Sequence, residues 1–574
     1  MKRKVFSRLL SELGRDRAPL IFSVIFSVIS VLLSLYVPVV IGGAIDRMTK
    51  EGFEAGLIIK HLAAVAALAL ASALFRWIAE SLNSSILAKT VASLRKKAYH
   101  KLSQLPVSYF DSNPKGDVMS RIMSDTDSVG NGLLLGMSQF FSGIVTIVGT
   151  LAFMLRINLK ITALVVLLTP LSLAVAALIA KSTYKLFLEQ SKKRAGETSF
   201  LTETLKNLKL IKSFVREDAV AEKFDETTDE LAKASRRAIF ASSLTNPATR
   251  FVGAVIYAAI GMFGAFTVIG GGLTVGGLTC FLSYAGQYSK PFNEISSVVS
   301  EIQGSIAAAS RVFELIDEKE DPETGSRIFK DVRGNVSFND VSFSYDKNKK
   351  LLKNVSFDVK TGQKIAIVGP TGCGKTTLIN LIMRFYDPDS GAITVDGEDS
   401  KSYTKESLRD SIGMVLQDTF LFDATILENI TVGAIGATRE EAMEAAKLSH
   451  AHTFIKKLPD GYDTRLFEGG SALSEGERQL LSITRVMLSK PRILILDEAT
   501  SSVDTRTEIK INDAFHRLME GKTSFIVAHR ISTVKNADLI LVMKDGDIVE
   551  TGRHDELIAH GGFYRELYES QFEA

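Results

Sequence analysis

The sequence predicts a multidomain chain: an all-α domain of six membrane-spanning helices, followed by a soluble α/β domain. Three observations predict it. Six apolar segments fill the first half, at about 20–45, 57–87, 132–157, 161–180, 239–269 and 273–299, each near or above the roughly 20 residues that cross a bilayer as a helix. In the second half, the apolar run 365–368 leads into Gly369-Pro370-Thr371-Gly372-Cys373-Gly374-Lys375-Thr376-Thr377, and a helix-like stretch follows at 378–383. Further on, Ile493-Leu-Ile-Leu closes on Asp497 and Glu498, which suits a buried parallel strand that delivers carboxylates at its end.

Size and composition agree. At 574 residues the chain is too long for one core. A mean hydropathy of +0.15 alongside 23% charged residues implies a membrane part averaged with a soluble one. The net charge of +3 names no acidic partner, and no Lys/Arg stripe interleaved with aromatics supports nucleic-acid binding. The two cysteines, Cys280 and Cys373, fall in an apolar segment and in the glycine loop, so no disulfide is expected and a reducing cytosol suits the loop. The N-terminal run MKRKVFSRLLSELGRDR is charged for too long to be a cleavable signal and reads as a short amphipathic helix at the membrane surface.

The apolar segments pair through short links at 46–56, 158–160 and 270–272, whereas the second and third, and the fourth and fifth, are separated by long charged stretches. Those stretches carry Lys89, Arg95, Lys96, Lys97 and Lys101 in one, and Lys181, Lys185, Lys192, Lys193 and Arg194 in the other, which makes them cytoplasmic, with both termini. Apolar residues recur at helical spacing through 86–105 and 198–214, so the spans continue as cytoplasmic stalks. At the two tips, 111–122 and 213–220 read as turns framing a short amphipathic helix. Nothing local would cover Phe110, Met119, Ile122, Phe214 or Val215, which favours docking on another domain over a solvated hairpin. Within the spans Arg76, Trp77, Gln139, Asn246, Arg250, Tyr257, Gln287 and Lys290 are costly in lipid and are expected to face a bundle interior or aqueous cavity, with snorkelling or ion pairing the alternative for Arg76 and Lys290. Pro247 and Pro291 are candidate kinks. The helical pattern ends at Ile316 and breaks in an acidic, Pro- and Gly-containing stretch, giving a membrane domain at 1–316, a linker at 317–330 and a nucleotide-binding domain at 331–574.

The glycine loop fits G-x-x-x-x-G-K-[ST], the P-loop of α/β NTPases. Gly369, Gly372 and Gly374 let backbone N–H groups turn around phosphates, Lys375 supplies a point charge, and the Thr376 hydroxyl suits Mg²⁺; the plain alternative is a glycine turn before a helix. Asp497 can hold Mg²⁺ through water, and Glu498 is placed to deprotonate an attacking water. Strands are expected at 336–343, 355–360, 412–416 and 524–528.

With these residues the chain resembles the ATP-binding cassette (ABC) exporters, in the half-transporter form with the membrane domain first. The resemblance implies an ATPase coupled to transport, with ATP and Mg²⁺ as ligands and the loop residues Gly369, Pro370, Thr371, Gly372, Cys373, Gly374, Lys375, Thr376 and Thr377 around the nucleotide. It implies that Tyr345 stacks on adenine, that Gln417 contacts Mg²⁺ and the attacking water, and that His529 contacts the γ-phosphate. Ser474, with Gly476 beside it, matches the signature that touches the γ-phosphate held by the opposite subunit. Ser501-Ser-Val-Asp504 resembles the loop that couples the two sites. The stalk tips resemble coupling helices, the second crossing to the partner's cassette. The signature departs from the family's LSGGQ: Leu473-Ser-Glu-Gly-Glu477 has glutamates at its third and fifth positions, and negative charge at Glu475 beside a γ-phosphate is unfavourable. That resembles bacterial heterodimeric exporters with one competent and one degenerate site, so a heterodimer with a second half-transporter is expected, a homodimer being the alternative. The implied setting is the cell membrane of a bacterium, with the cassette cytoplasmic, in contact with membrane lipid. The implied cargo is a hydrophobic or amphipathic molecule, with lipid or peptide export, or a nucleotide-gated channel or regulator, as rival readings. The spans exclude a soluble nucleic-acid ATPase, and fusion of spans to cassette argues against an importer.

Overall fold

The computed structural model describes residues 2–13, 17–329, 332–346, 350–416, 419–497, 504–527 and 534–572. The chain divides into two compact units, Met1–Gln104 with Pro114–Lys319, and Leu105–Asn113 with Glu320–Ala574.

The first unit is helical throughout its described residues. It comprises α1 (Lys2–Leu13), α2 (Arg17–Glu51) and α3 (Ala55–Gln104), then, beyond α4 (Val107–Ser112) of the other unit, α5 (Lys115–Ile122), α6 (Ser124–Leu135) and α7 (Phe141–Ile157). After these come α8 (Leu159–Lys206), α9 (Leu208–Ser213), α10 (Glu217–Ser243), α11 (Thr245–Ile269) and α12 (Val275–Ile316). At 50 residues α3 is about 75 Å long by helical rise, against a hydrocarbon core of roughly 30 Å. The stalk is therefore the same helix continued past the membrane. Four stretches among the described residues are long and apolar enough to cross a bilayer: Ala18–Glu51, Ala55–Gln104, Lys115–Ile157 and Arg250–Ile269. The other two expected spans fall in α8 and α12, which run unbroken for 48 and 42 residues and whose side chains are described in part.

Local chemistry sets the joints. Asn158 caps α8, its side chain accepting from the N–H groups of Lys160 (3.0 Å) and Ile161 (3.2 Å), so the chain reverses in one residue after α7. Only Leu244 separates α10 from α11. Pro247, three residues on, has no N–H to offer the Ser243 carbonyl, which places the expected break there. Pro291 lies inside α12, as Pro38 and Pro170 lie inside α2 and α8. Between α6 and α7 the helix widens to a π turn over Gly136–Phe140. Asp46, near the end of α2, accepts from the Thr274 hydroxyl and the Gly276 N–H at the start of α12, both at 2.7 Å. A Cβ on Gly276 would lie 1.9 Å from the Gly42 carbonyl oxygen, so only glycine allows this approach of α2 to α12. One core cluster joins Leu35, Met154, Ile161, Ile260, Phe281 and Tyr284, whose phenol donates to the Leu35 carbonyl (2.6 Å).

The expectations for two stretches gain detail. The amphipathic α1 packs part of its surface within the first unit. Leu9 is buried with Ile86, Leu94, Val129 and Phe313, and Arg8 pairs with Asp317 while Lys97 pairs with Glu12. The first tip is not one helix: the chain breaks at Asn113-Pro114, α4 belongs to the second unit, and α5 buries Val118 and Ile122 within the first. Ile122 is thus covered within the first unit. The second tip matches its reading better, with Phe214 and Val215 exposed beyond α9 (69% and 83%) and Val215 in the left-handed region at φ 50°.

The second unit holds two sheets. The smaller, antiparallel one has the order β2-β1-β4-β5, from β1 (Val336–Phe343), β2 (Leu352–Val359), β4 (Ser390–Val395) and β5 (Glu398–Asp399). The larger has the order β10-β9-β3-β8-β7-β6, from β3 (Lys364–Val368), β6 (Ile412–Val415), β7 (Ile493–Asp497), β8 (Thr523–Val527), β9 (Leu539–Lys544) and β10 (Asp547–Gly552). Its strands are parallel from β9 through β6, and β10 is antiparallel to β9. The helices that matter below are α13 (Lys375–Ile382) and, numbering on through α14 (Lys405–Asp410), α15 (Ile426–Thr431), α16 (Arg439–Leu448) and α17 (His452–Ile455), α18 (Glu475–Ser489) and α19 (Thr505–Met519).

Candidate active site

β3 lies between β9 and β8, parallel to both. Ile365 of β3 and Ile495 of β7 both pair with Phe525 of β8, so the three strands run level. The chain therefore leaves β3 at Val368, β8 at Val527 and β7 at Asp497 along one carboxyl edge, where open parallel sheets gather their ligands.

The glycine loop fills that edge. Gly369 has φ 153°, and a Cβ there would stand 2.3 Å from the Met543 carbonyl oxygen. Gly374 has φ 110°, and a Cβ there would press on Leu352 at 2.7 Å. No other residue type fits either position without moving backbone or core. Lys375 opens α13 and donates to the carbonyls of Gly369 (2.6 Å) and Pro370 (3.1 Å), so the ammonium lies across the loop's mouth. Thr371, Gly372 and Thr376 are exposed, whereas Cys373 and Thr377 are buried. Burial pushes the Cys373 thiol above its ordinary range, with Lys375 pulling the other way. The arrangement is a cradle of backbone N–H groups at a helix N-terminus with a cation beside it, the chemistry of a polyphosphate site.

Tyr345 is half exposed. Its ring meets Phe343 (4.9 Å, 88°) and Tyr386 (5.0 Å, 88°) edge-on, and its phenol oxygen accepts from the side-chain amide of Asn380 on α13 (3.0 Å). That geometry holds the ring upright beside the loop. Asn380 and Tyr386 carried no signal in the sequence reading, since each is an ordinary residue of a helix or turn.

Ser474 is the N-cap of α18. Its hydroxyl accepts from the Glu477 N–H (3.4 Å) and donates to the Glu477 carboxylate (2.9 Å), which also accepts from the Ser474 N–H (2.9 Å). This is a complete capping box, and the S-x-x-E spacing was there to be read. Gly476 is buried and Glu475 is exposed in the first turn. The guanidinium of Arg485, further along α18, donates to the carbonyls of Phe420 (2.7 Å) and Asn429 (2.6 Å). Asp504 caps α19, accepting from the N–H groups of Arg506 (3.1 Å) and Thr507 (3.0 Å), and a hydrogen bond from the Thr507 side chain, together with those backbone bonds, holds its carboxyl below the usual range. Glu498, His529, Gln417 and the stretch 501–503 lie outside the described residues; Asp497 closes the described part of β7 at the carboxyl edge.

The bundle holds a separate cavity of about 640 Å³. Arg76, Gln139, Gln287 and Lys290 line it, as the polar-span reading expects. Trp77, Arg250 and Tyr257 do not and are exposed on the bundle, and the Asn246 side chain lies outside the described residues. The sequence reading missed Glu80 and the hydroxyls of Ser27, Ser30, Ser34, Ser72 and Ser138. The serine spacing of three and four on α2 was a legible helical stripe. Glu80 already accepts from Ser138, whereas Arg76 and Lys290 have no ion pair among the described residues.

Residues 20–292 match the family described as the ABC transporter transmembrane region, and residues 352–501 match the ABC transporter family. The chain is 39% identical over 568 residues to an uncharacterized ABC transporter ATP-binding protein, YfiC, of Bacillus subtilis (strain 168), covering 99% of this chain and 94% of that one. It is 40% identical over 517 residues to a fatty acid ABC transporter ATP-binding/permease protein of Mycobacterium tuberculosis (strain CDC 1551 / Oshkosh), covering 90% and 82%. Among solved structures, a bacterial Atm1-family ABC exporter with ATP bound superimposes with a TM-score of 0.79 at 28% identity, covering 97% and 98% of the two chains.

Proposed function

The chain belongs to the ABC exporters as a type IV half-transporter, an integral membrane protein with an ATPase coupled to export, and we propose that its cargo is an amphipathic molecule with an acidic head group. The observation that carries the cargo is the bundle cavity. Among the described residues its one carboxylate, Glu80, is engaged by Ser138, while Arg76 and Lys290 have no ion pair inside a membrane domain, where a cation without a counter-charge is costly until a ligand anion meets it. A relative printed as a fatty acid transporter fits the same chemistry.

In this reading the loop N–H groups and Lys375 receive the β- and γ-phosphates of ATP. Tyr345 stacks on the adenine. Mg²⁺ suits the donors assigned to it, the exposed Thr376 hydroxyl, the Asp497 carboxylate at the sheet edge and the Gln417 amide oxygen, because all are hard oxygens. The ion supplies charge neutralisation between the phosphates. Glu498 takes the proton of the attacking water, His529 steadies the γ-phosphate, and Asp504 anchors the loop that couples the two sites. Exporters of this family work as dimers, and Ser474 with Gly476 would close the partner's site. For that the Ser474 hydroxyl must leave the Glu477 carboxylate, and the approaching phosphate meets Glu475 as well, which supports a weakened site there and hence a heterodimer. The cassette and both termini face the cytoplasm of a bacterial cell.

The test is accumulation of oleate in inverted vesicles. ATP should drive it with the parent assembly but not with Glu498→Gln, and Arg76→Ala with Lys290→Ala should remove it while ATP is still hydrolysed. Uptake of a cationic amphiphile instead would refute the acidic-head reading alone.

A further inference from the structure

Arg76 and Glu80 stand one turn apart on the same face of α3, and both line the bundle cavity. No ion pair joins them, and arginine ahead of glutamate is the weaker order for a pair at this spacing. Glu80 accepts from the Ser138 hydroxyl (2.5 Å), and its second oxygen has no partner among the described residues. Ser138 comes from the π turn Gly136–Phe140, whose Gln139 also lines the cavity, and such widened turns gather at functional positions.

The rest of the hydroxyl wall does not serve Glu80. Ser30 and Ser72 each donate to the other's backbone carbonyl (2.9 Å both), Ser142 donates to the Ser138 carbonyl (2.7 Å), and Thr146 donates to the Ser142 carbonyl (2.8 Å). A carboxylate inside a bundle keeps its charge only where a cation or several donors meet it, and one hydroxyl is too little. The cavity therefore makes two separate demands, an anion for Arg76 and Lys290 and a cation for Glu80.

We propose that the cargo's head group carries an ammonium beside its acidic groups, and that Glu80 is the residue that selects for it. This rests on the reading of the cavity as the site of an acidic amphiphile. The described lining holds two cations and one carboxylate, so a head with two anionic groups and one ammonium leaves no charge unmatched, as a phosphoserine head does. The acidic groups go to Arg76 and Lys290, and the ammonium donates to the Glu80 oxygen that Ser138 leaves open. A plain fatty acid answers the cations alone.

The experiment is stimulation of phosphate release from the full assembly in nanodiscs. The probes are 1-oleoyl lysophosphatidylserine and its N-acetyl derivative, which keeps both acidic groups and the chain and lacks only the ammonium. The parent should respond to the free-amine form at about tenfold lower concentration, the low end for one close charge pair. Glu80→Gln keeps an acceptor for Ser138 and removes the charge; its two half-maximal concentrations should coincide, with the response to the N-acetyl form retained. Ser138→Ala leaves the charge in place and should keep the preference. The proposal is overturned if the parent responds equally to both probes, if Glu80→Gln keeps the preference or loses the N-acetyl response as well, or if Ser138→Ala abolishes the preference. Equal responses that Arg76→Ala with Lys290→Ala removes refute the ammonium alone, whereas silence to both probes beside a response to a cationic amphiphile refutes the acidic head on which it rests.

Discussion

The glycine loop and Ser474 both stand at the starts of helices, α13 and α18, and they are built in opposite ways. At Gly369–Thr377 the backbone is forced open. Glycines at φ 153° and 110° stand where a Cβ would strike the carbonyl of Met543 and the side chain of Leu352, and Lys375 rests on loop carbonyls with its charge turned to the mouth. At Ser474–Glu477 the helix start is closed on itself, because Glu477 returns to cap the serine that should reach outward. One helix start invites an anion and the other already holds one. The difference teaches that a motif's letters are not its availability: Ser474 is present, and its hydrogen bond is spoken for.

The sharpest way to break this contrast is at the first site. Glu498→Gln should cut ATP turnover by about 10²- to 10⁴-fold, the range for removing a positioned base, with ATP still bound. Parental turnover in a phosphate-release assay would take Glu498 out of that role. Next in size, Glu475→Gly with Glu477→Gln removes both negative charges from the signature and should raise turnover of the partner's site on the order of tenfold in an assembly where Glu498→Gln silences the other. An unchanged rate would mean that the self-capped serine opens freely and that the two helix starts are equivalent in use.

The thiol of Cys373 sharpens the same comparison at smaller scale. Its value is raised by burial, so the thiolate fraction at pH 7 is below that of a free cysteine and grows about tenfold per pH unit until the pH passes the raised value. Alkylation should be slow at neutral pH, faster with rising pH, and blocked by ATP. Inhibition that survives Cys373→Ser would place the reactive thiol elsewhere. Smallest of all, Ser474→Ala should lower cassette stability by about 1 kcal/mol through loss of the cap, measured by thermal unfolding. No loss would show that the capping box contributes nothing in solution.

Much of this was open to reading from residues alone. The strand ending at Asp497, the strand from Val336 to Phe343 and the loop between β3 and α13 follow from apolar runs, turn residues and glycine spacing, which are local signals. The cations of the bundle cavity were legible because Arg76 and Lys290 are expensive in lipid. What escaped depends on contacts distant in sequence. α1 was read as lying at the membrane surface, and its packing within the unit, with Leu9 and Phe313 in one cluster 304 positions apart, is something no periodicity reports. Ile122 was read as uncovered because its cover comes from other helices of the bundle. Tyr386 has no local signature, since what marks it is its contact with the Tyr345 ring. The capping box is the opposite case: Glu477 was judged as a departure from a motif, when its spacing from Ser474 already said what it does locally.

The central claim is that ATP consumed in the cassette moves an acidic amphiphile through the bundle. The most direct measurement is oleate transport into the lumen of sealed proteoliposomes with outward-facing cassettes, followed together with phosphate release. The account predicts accumulation that requires ATP, disappears with Glu498→Gln, and accelerates phosphate release as oleate is raised. Equal oleate entry with and without ATP, beside phosphate release indifferent to oleate, would contradict it.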